Sequence, residues 1–435
     1  MSLNAQAVEL NEAIKAANPS VFSMLSEKGR GIFFPKKGIL AQTAEAAGKE
    51  INATIGTALE DNNAPMCLES LARQINMHGK QIFSYAPSPG RPEIRSIWKE
   101  MLFKKNPSLA GASISLPVVT SALTHGLSMA GYMFADPGNR IILPDLYWEN
   151  YDLVFANAYD ALMDTYPMFV GDAFNVEGLK QRLSQGGIGK KIVLLNFPNN
   201  PTGYTVTKAE AHAIAQALIA SAQAGNDIVV FIDDAYFGLV FEENIIAESL
   251  FGLLANAHER LLAVKFDGPT KEDYVWGFRV GFVTFGCGRN TAPLYTALEA
   301  KLSGAIRGCI SNASNIGQTL LVTAYGDKNY NAEKLEKSAM LKKRFEKIRE
   351  ILASHAEYRE VFEPLPFNSG YFMCVRVKSG DAEAVRKVLL EKYSTGIIAM
   401  GDLIRIAFSS TPYSKLELLM SNIYWAAKDA AGAKA

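Results

Sequence analysis

Five short apolar runs, separated by stretches with a helical pattern, occupy the chain between about residues 113 and 285. They are RIILPD from Arg140, KIVLLNF from Lys191, DIVVFIDD from Asp227, RLLAVKF from Arg260 and RVGFVTF from Arg279. Val, Ile, Leu and Phe follow one another with little polar alternation, which is typical of strands that are buried on both faces. The pattern therefore predicts an α/β fold with a mostly parallel central sheet that is covered by helices.

Helical patterns fill the connections and the C-terminal part of the chain. Thr207-Lys208-Ala209-Glu210 has the spacing of a capping box and predicts the start of an Ala-rich helix that ends near Ala224. After about Gly326 the pattern changes to a long charged helix, an apolar segment from Glu360, a further helix and a short strand around residues 404–408. We expect an N-terminal arm and part of a small domain in residues 1–63, a large domain in 64–328 and the small α+β domain in 329–435. The Ala/Lys-rich last ten residues are expected to fray.

Composition and charge narrow the class of protein. The 435 residues include 44 basic and 44 acidic side chains, so the balance gives no electrostatic reason to expect a nucleic acid or a membrane as partner. No run reaches the roughly 18 apolar residues of a membrane span, and the first residues do not resemble a secretory signal. The four cysteines are too widely separated for a disulfide framework or for a metal site with paired ligands. We therefore expect a soluble, cytoplasmic protein without a metal.

Polar residues occur where the predicted strands end. The segment NFPNNPTG, residues 196–203, follows one apolar run, and Asp233-Asp234-Ala235-Tyr236 follows the next. Ligands of parallel sheets bind at the carboxyl ends of the strands. Taken singly, however, the first segment is also typical of a tight Pro/Gly loop. The aspartate of the second segment could likewise be the N-cap of a helix. Lys271, eight residues before Arg279, would by itself be a solvated side chain.

Taken together, these residues resemble the fold type I enzymes that depend on pyridoxal 5′-phosphate (PLP), specifically the class I/II or aspartate/aromatic aminotransferase family. The shared order is Asn200, Asp233-x-x-Tyr236, Lys271 and Arg279 on successive strand ends. The resemblance extends from about residue 51 to residue 410. It includes INATIG from Ile51, Tyr85 to Gly90 with Arg95, Val119 to Leu127 and Leu143 to Asn150. It implies a large PLP-binding domain and a smaller α+β domain.

The resemblance implies catalytic roles for three residues. Lys271 would form the internal Schiff base with PLP, and once displaced by the substrate amine it would move a proton from the substrate Cα to the C4′ atom of the cofactor. Asp233 would keep the pyridine nitrogen protonated, so that the ring can accept the electrons of Cα. Tyr236, together with Asn200, would donate hydrogen bonds to the phenolic oxygen of the ring.

The resemblance also implies how the phosphate and the ring face are bound. Arg279 would bind the phosphate together with the N–H groups of Leu123 and Thr124 and the Thr124 hydroxyl, which lie at a predicted helix N-terminus. Tyr85 would reach the same phosphate from the neighbouring subunit, which implies a homodimer with shared active sites. Trp148 would stack on the ring, and the alternative is a core or interface tryptophan.

Substrate contacts are implied for Gly56, Asn200, Trp148, Arg405 and Arg307. Arg405 lies inside an apolar strand, where a buried charge needs a carboxylate as partner, and by resemblance it would bind the α-carboxylate of the substrate. Arg307, followed by Ser311-Asn312, resembles the arginine that one subunit lends to the other for the distal carboxylate of dicarboxylic amino acids. The alternative for Arg307 is a surface or interface arginine.

The chain departs from the family pattern in three places. Gly268 stands where the family has a phosphate-binding hydroxyl; either Thr270, at a different spacing, compensates for it, or the hydroxyl is not replaced. Glu272 and Asp273, directly after Lys271, either alter the Schiff-base environment or point to solvent. The segment at residues 31–39 has no counterpart, and its placement suggests an active-site lid or a dimer arm.

The leading hypothesis is a PLP-dependent aminotransferase that moves an amino group between an amino acid and a 2-oxo acid. Aspartate, glutamate and aromatic amino acids are the expected donors. One alternative is another PLP enzyme of the same fold, a β-lyase, decarboxylase or synthase, which would break a different bond at Cα. A second alternative is a non-catalytic PLP-binding regulator, for which the N-terminal segment leaves no room for a DNA-binding domain. The sequence lacks the glycine-rich motifs that would favour a general nucleotide-binding protein.

Overall fold

The computed structural model describes residues 3–33, 38–75, 77, 82–289 and 292–432. In chain order its α-helices are α1 (Ala5–Ala17), α2 (Pro19–Met24), α3 (Glu27–Gly31), α4 (Ile39–Glu45), α5 (Glu69–Ala72), α6 (Pro92–Lys105), α7 (Ala122–Phe134), α8 (Val176–Ser184), α9 (Lys208–Gln223), α10 (Leu250–Leu254), α11 (Pro269–Glu272), α12 (Ala292–Ile310), α13 (Asn315–Tyr325), α14 (Tyr330–Ser354), α15 (Ala382–Lys392) and α16 (Leu416–Gly432). The strands are β1 (Ile51–Asn52), β2 (Val118–Thr120), β3 (Arg140–Pro144), β4 (Leu162–Tyr166), β5 (Phe169–Val170), β6 (Ala173–Phe174), β7 (Lys190–Asn196), β8 (Asp227–Asp233), β9 (Leu261–Asp267), β10 (Gly281–Cys287), β11 (Phe362–Pro364), β12 (Phe372–Val377), β13 (Thr395–Gly396), β14 (Ile398–Met400) and β15 (Leu403–Ala407). A π-helix spans Asp152–Asn157, and no described helix is long and apolar enough to cross a membrane.

Seven strands form the central sheet in the order β2-β10-β9-β8-β7-β3-β4. Strands β4, β3, β7, β8 and β9 run parallel, whereas β10 is antiparallel to both of its neighbours. All of β10 and nearly all of β8 are buried, because their apolar side chains face helices on both sides of the sheet. The predicted α/β fold with a mostly parallel sheet is therefore confirmed, and β10 is its antiparallel strand.

The predicted capping box opens α9, the helix between β7 and β8. The Thr207 hydroxyl accepts the N–H of Glu210 at 3.2 Å, and the Glu210 carboxylate accepts the N–H of Thr207 at 2.7 Å. Each side chain satisfies a backbone donor that the first turn of a helix leaves free. The predicted helix is confirmed, and it returns the chain to β8, whose end carries the Asp233 motif.

A four-stranded antiparallel sheet, β11-β12-β15-β14, forms the small domain together with α14, α15 and α16. Strand β1 pairs in parallel with β13, Ile51 opposite Thr395, so the N-terminal segment contacts this C-terminal part. The described part of the tail is helical, and residues 433–435 lie outside the described residues. Helix α16 continues to Gly432, because Ala426, Ala427 and Ala430 are buried on the side that faces the domain.

Candidate active site

The carboxyl ends of β7 and β8 lie side by side and bring two predicted motifs together. Their last residues, Asn196 and Asp233, are register partners, and Nδ2 of Asn196 donates to the carbonyl of Asp233 at 2.8 Å. Oδ1 of Asn196 accepts the N–H of Asn200 at 2.9 Å, so the loop folds back onto the strand end. Asn200 and Asp233 are thus held at the edge where parallel sheets bind their ligands.

The same loop is packed against the small domain. Gly203 has a φ angle of +71°, and a Cβ atom there would lie 1.8 Å from the carbonyl oxygen of Phe372 in β12. The N–H groups of Asn368 and Ser369 both donate to the Gly203 carbonyl at 2.9 Å. Only glycine meets the conformation and the close approach together. The Pro/Gly loop is therefore a contact between the two domains as well as a strand end.

Asp233 is a buried carboxylate held by two donors. It is 3% exposed; the Tyr151 hydroxyl donates to Oδ2 at 2.5 Å and the Ala235 N–H to Oδ1 at 3.0 Å. Burial raises the pKa of Asp233, while the hydrogen bond from Tyr151 and the charge of Lys271 oppose that rise. Turns rather than a helix follow β8, so the helix N-cap alternative is wrong.

Lys271 lies on the short helix α11 and faces the same region. Its Nζ atom is 4.8 Å from the centroid of the Tyr236 ring, and Tyr236 is itself buried. Burial lowers the pKa of Lys271 to about 8; the charge of Asp233 opposes this shift, and that of Arg279 adds to it. Lys271 is partly buried against Tyr236 and is not a fully solvated side chain. A lysine of this kind can lose its proton near neutral pH, which an exposed lysine cannot.

The turn between β2 and α7 and the start of β10 form a cradle for an anion. The N–H groups of Leu123 and Thr124 belong to the first turn of α7, where a helix leaves its donors free. A Cβ atom on Gly281 would lie 2.6 Å from the carbonyl carbon of Ala122 and 2.9 Å from the nitrogen of Leu123, so only glycine fits there. Arg279, two residues earlier, adds an exposed cation at this end of the sheet.

The residues before Lys271 explain one departure from the expected pattern. A Cβ atom on Gly268 would lie 3.0 Å from both the Cα of Gly281 and the carbonyl oxygen of Val280, which leaves little room for a side chain. Thr270, by contrast, is 4% exposed, and its hydroxyl has no hydrogen-bond partner among the described residues. A buried hydroxyl without a partner is costly, so Thr270 is available to a ligand.

Glu272 and Asp273, the two acids after Lys271, are 4% and 0% exposed. Oε1 of Glu272 pairs with Lys105 and, at 2.6 Å, with Lys334, whose Nζ also lies 3.0 Å from Oδ1 of Asp273. The alternative in which these acids point to solvent is therefore wrong. The charges that shift the pKa of Lys271 are those of Asp233 and Arg279.

Arg405 is the buried charge of β15, at 3% exposure. Its guanidinium donates to Oδ1 of Asn200 and to the carbonyl of Thr54, both at 3.1 Å, and lies 4.4 Å from the ring centroid of Phe372. Gly56 approaches the same ring, since its Cβ position is 3.9 Å from Cζ of Phe372. The Nε atom of Arg405 has no hydrogen-bond partner among the described residues. The arrangement leaves a donor free for a carboxylate.

Trp148 follows β3 and lines a cavity of about 1100 Å³ together with Thr124. Its ring meets the Tyr151 ring edge to face at 5.5 Å. Tyr151 also donates to Asp233, so Trp148 packs against the same tyrosine that holds the carboxylate at the end of β8. Gly31 and Ile39 line this cavity as well; the middle of the predicted lid or arm, residues 34–37, lies outside the described residues.

Tyr85 and Arg307 lie apart from this cluster. Tyr85 is 90% exposed, and Arg307 is exposed with its guanidinium donating to the Ser311 hydroxyl at 2.9 Å. Their segments are joined, since the Ser88 hydroxyl donates to the Ser311 carbonyl at 2.9 Å. Within the described part of this chain neither side chain makes a hydrogen bond or ion pair with the Lys271 cluster. Both belong to one outer surface.

Sequence reasoning missed Tyr151 and Asn196. The segment quoted for the resemblance ends at Asn150, one residue short of Tyr151, although a spacing of three from Trp148 is the signal that both side chains share a helical face. Asn196 belongs to the segment at residues 196–203, but the sequence alone suggests no role for its side chain. Its role depends on the register of β7 against β8, which the amino-acid sequence does not reveal.

Comparison with known proteins supplies the family context. The sequence model described as "Aminotransferase class I and II" matches residues 49–423. The chain is 24% identical over 242 residues to an aspartate aminotransferase of Pyrococcus abyssi, which covers 55% of this chain and 58% of that relative. It is 22% identical over 206 residues to a probable N-acetyl-LL-diaminopimelate aminotransferase of Bacillus subtilis, 47% and 48% of the two chains. The chain thus spans about half the length of the curated relatives it matches.

Solved structures share the fold over most of the chain. An aminotransferase from Anaerococcus prevotii superposes with a TM-score of 0.81 at 24% identity, over 92% of this chain and 98% of that one. A kynurenine aminotransferase of Pyrococcus horikoshii, in complex with PMP, superposes with a TM-score of 0.77 at 17% identity, over 94% and 98%. At such identities the likeness shows the fold.

Proposed function

Because the chain belongs to the class I and II aminotransferase family, we propose that it is a PLP-dependent aminotransferase acting between an amino acid and a 2-oxo acid. Enzymes of this family use PLP as their cofactor. The observation that carries the proposal is the position of the half-buried Lys271 beside the Tyr236 ring, where the charge of Asp233 acts on it and its pKa is lowered to about 8. Titratable groups with perturbed pKa values cluster at functional sites.

The residues at the sheet edge fit this cofactor. The free N–H groups of Leu123 and Thr124, the cation of Arg279 and the unpartnered hydroxyl of Thr270 suit a phosphate dianion. Because Gly281 has no side chain, its backbone can lie close to Ala122 and Leu123 beside the proposed phosphate site. When bound, PLP supplies an electron sink for the bonds at the substrate Cα.

Each residue around the cofactor then has a separate role. Lys271 would hold the cofactor and, once released, its Nζ would take up and move the proton of the substrate Cα. Asp233, oriented by Tyr151, would hold the proton on the ring nitrogen. Asn200 and Tyr236 would donate to the phenolic oxygen, and Trp148 would cover the ring face.

Arg405 would bind the α-carboxylate, since its free Nε–H and its buried position favour an anionic partner. Asn200 would orient this guanidinium, and Gly56 would leave space beside it. We further propose a homodimer in which Tyr85 and Arg307 of one copy complete the site of the other. Their shared outer surface supports this. Arg307 would then bind the distal carboxylate of aspartate or glutamate and yield to aromatic side chains.

Amino transfer tests the proposal directly. The purified chain with PLP is mixed with ¹⁵N-labelled aspartate, glutamate or phenylalanine and a 2-oxo acid, and the labelled product is measured by mass spectrometry. We expect transfer in the wild type, loss in Lys271→Ala and retention in Lys208→Ala, because Lys208 is exposed at the start of α9. No transfer from any of these donors to any 2-oxo acid would refute the proposal.

A further inference from the structure

Ion pairs of the buried carboxylates Glu272 and Asp273, the two residues after Lys271, connect this segment with the small domain. Lys334, in the first turns of α14, pairs with Oε1 of Glu272 at 2.6 Å and with Oδ1 of Asp273 at 3.0 Å. Tyr330, one turn earlier on the same helix, donates to Oδ1 of Asp273 at 2.6 Å. The two residues that follow Lys271 are therefore held by one helix of the small domain.

The large domain holds the same carboxylate from the other side. Lys105, at the end of α6, also pairs with Oε1 of Glu272 and lies 4.7 Å from the ring centroid of Trp98. Trp98 donates in turn to Asp267 at 3.0 Å, and Asp267 pairs with Lys265 at 3.3 Å. Glu272 is thus the point where cations of both domains meet.

The backbone of Lys271 itself has a second link to the small domain. The Tyr371 hydroxyl, from the residue before β12, donates to the Lys271 carbonyl at 3.1 Å. The rings of Tyr371 and Phe372 also meet the Tyr236 ring at 5.2 and 5.7 Å. Helix α11 is only four residues long, and Glu272, its last residue, directly follows Lys271. A displacement of Glu272 is therefore expected to displace Lys271 as well.

We infer that Lys334 is a positioning residue, which fixes the Lys271 segment against the small domain and so sets the place and the surroundings of the ε-amino group. Without Lys334, Glu272 keeps Lys105 and Asp273 keeps Tyr330, but both buried carboxylates lose the cation they share. The segment that carries Lys271 then loses its ion pairs to α14. The inference rests on the proposed function only in that Lys271 is taken as the lysine that holds the cofactor.

The test compares Lys334→Met with Lys334→Arg and with Lys337→Met in the full-length chain. Lys337 is a matched control, because it lies one turn further along α14 and pairs with Glu60 at 2.8 Å, also only partly exposed. The first readout needs no activity. It is the pH dependence of the rate at which Lys271 of the PLP-free protein reacts with an amine reagent, followed by peptide mass spectrometry.

The groups that face the Lys271 amine are Asp233 from β8, Arg279 before β10 and the Tyr236 ring. None of them changes in these variants. In Lys334→Met the loosened segment admits water and relieves the burial that lowers the pKa. We therefore expect the pKa of Lys271 to rise from about 8 toward its ordinary value.

The second readout is the loaded enzyme. Since a small misplacement of a reacting group is costly, we expect PLP to dissociate about tenfold faster and kcat to fall about tenfold or more, with KM changed less than about twofold. Lys334→Arg should restore most of both. Lys337→Met should lower the melting temperature without changing either readout.

Equal effects in Lys334→Met and Lys337→Met, or an unchanged pKa of Lys271, would overturn the inference. If Lys334→Met does not fold, Lys334→Gln decides, because it removes the cation and keeps a hydrogen-bond donor near Glu272 and Asp273. The same rise in pKa, but smaller, supports the inference, and no change refutes it. Absence of amino transfer in the wild type would refute the proposed function and leave the pKa measurement interpretable.

Discussion

Removing the Tyr151 hydroxyl tests whether its hydrogen bond keeps the buried carboxylate of Asp233 ionised. Tyr151 is fully buried and donates to Oδ2 of Asp233 at 2.5 Å, and this bond lowers the pKa of Asp233 against the effect of burial. Tyr151→Phe keeps the ring and removes the donor, so the pKa of Asp233 must rise. In the role proposed for Asp233, only the ionised carboxylate would hold a protonated ring nitrogen, so PLP binding should be lost as pH falls through the pKa of Asp233.

The magnitude follows from the hydrogen bond. A hydrogen bond to a charged group contributes about 1.5–3 kcal/mol, which is about ten- to a hundredfold in an equilibrium constant. Below the pKa of Asp233 in both proteins, Tyr151→Phe should therefore bind PLP about ten- to a hundredfold more weakly. Above both pKa values the carboxylate is ionised in each protein, and the two affinities should converge.

The assay is equilibrium titration with PLP across a range of pH, followed by the absorbance of the bound cofactor. Tyr147→Phe is the matched control, because Tyr147 stacks on Tyr151 at 6.2 Å but donates to Asp152 instead. The control should follow the wild-type curve. Curves for Tyr151→Phe that overlay the wild type, or that differ most at high pH, would refute the reasoning.

Three further substitutions test other parts of the site. Arg405→Lys loses the guanidinium that donates to both Asn200 and the Thr54 carbonyl. It should lower kcat/KM for every amino acid about a hundredfold. Steady-state kinetics that show a loss for only one substrate would contradict this. Arg307→Ala should lower kcat/KM for aspartate or glutamate far more than for phenylalanine, and equal losses would exclude the distal-carboxylate role. Gly281→Ala places a Cβ atom 2.6 Å from Ala122 and should cost about 1–3 kcal/mol of stability and weaken PLP binding. Gly277→Ala, which meets open space, is its control, and thermal unfolding with PLP titration measures both.

The strand ends could be predicted because local sequence determines them. The runs that became β7 and β8 are mostly apolar with little polar alternation, which is typical of strands buried on both faces. Asn200, Asp233 and Tyr236 follow these runs directly, so their meeting at one edge follows from parallel pairing. The capping box of α9 was readable for the same reason, since both of its partners lie within four residues.

The partners of the buried charges could not be predicted, because they come from distant parts of the chain. Tyr151 lies 82 residues before Asp233, and Lys334 lies 62 residues after Glu272. In the sequence, Glu272 and Asp273 have the composition of a solvated face. Their burial depends on how α6 and α14 pack, which no periodicity near Lys271 encodes.

The site is assembled across a domain contact, and this has a consequence for substrate binding. Arg405 of the small domain donates to Asn200 of the large domain at 3.1 Å, and Tyr371, on the neighbouring strand end, donates to the carbonyl of Lys271. In the role proposed for Arg405, a substrate carboxylate would therefore act on the four-stranded sheet, which Tyr371 links to the Lys271 carbonyl. Substrate affinity and the position of Lys271 should change together when β12 shifts against β15, whereas substitutions on the exposed face of α16 should change neither.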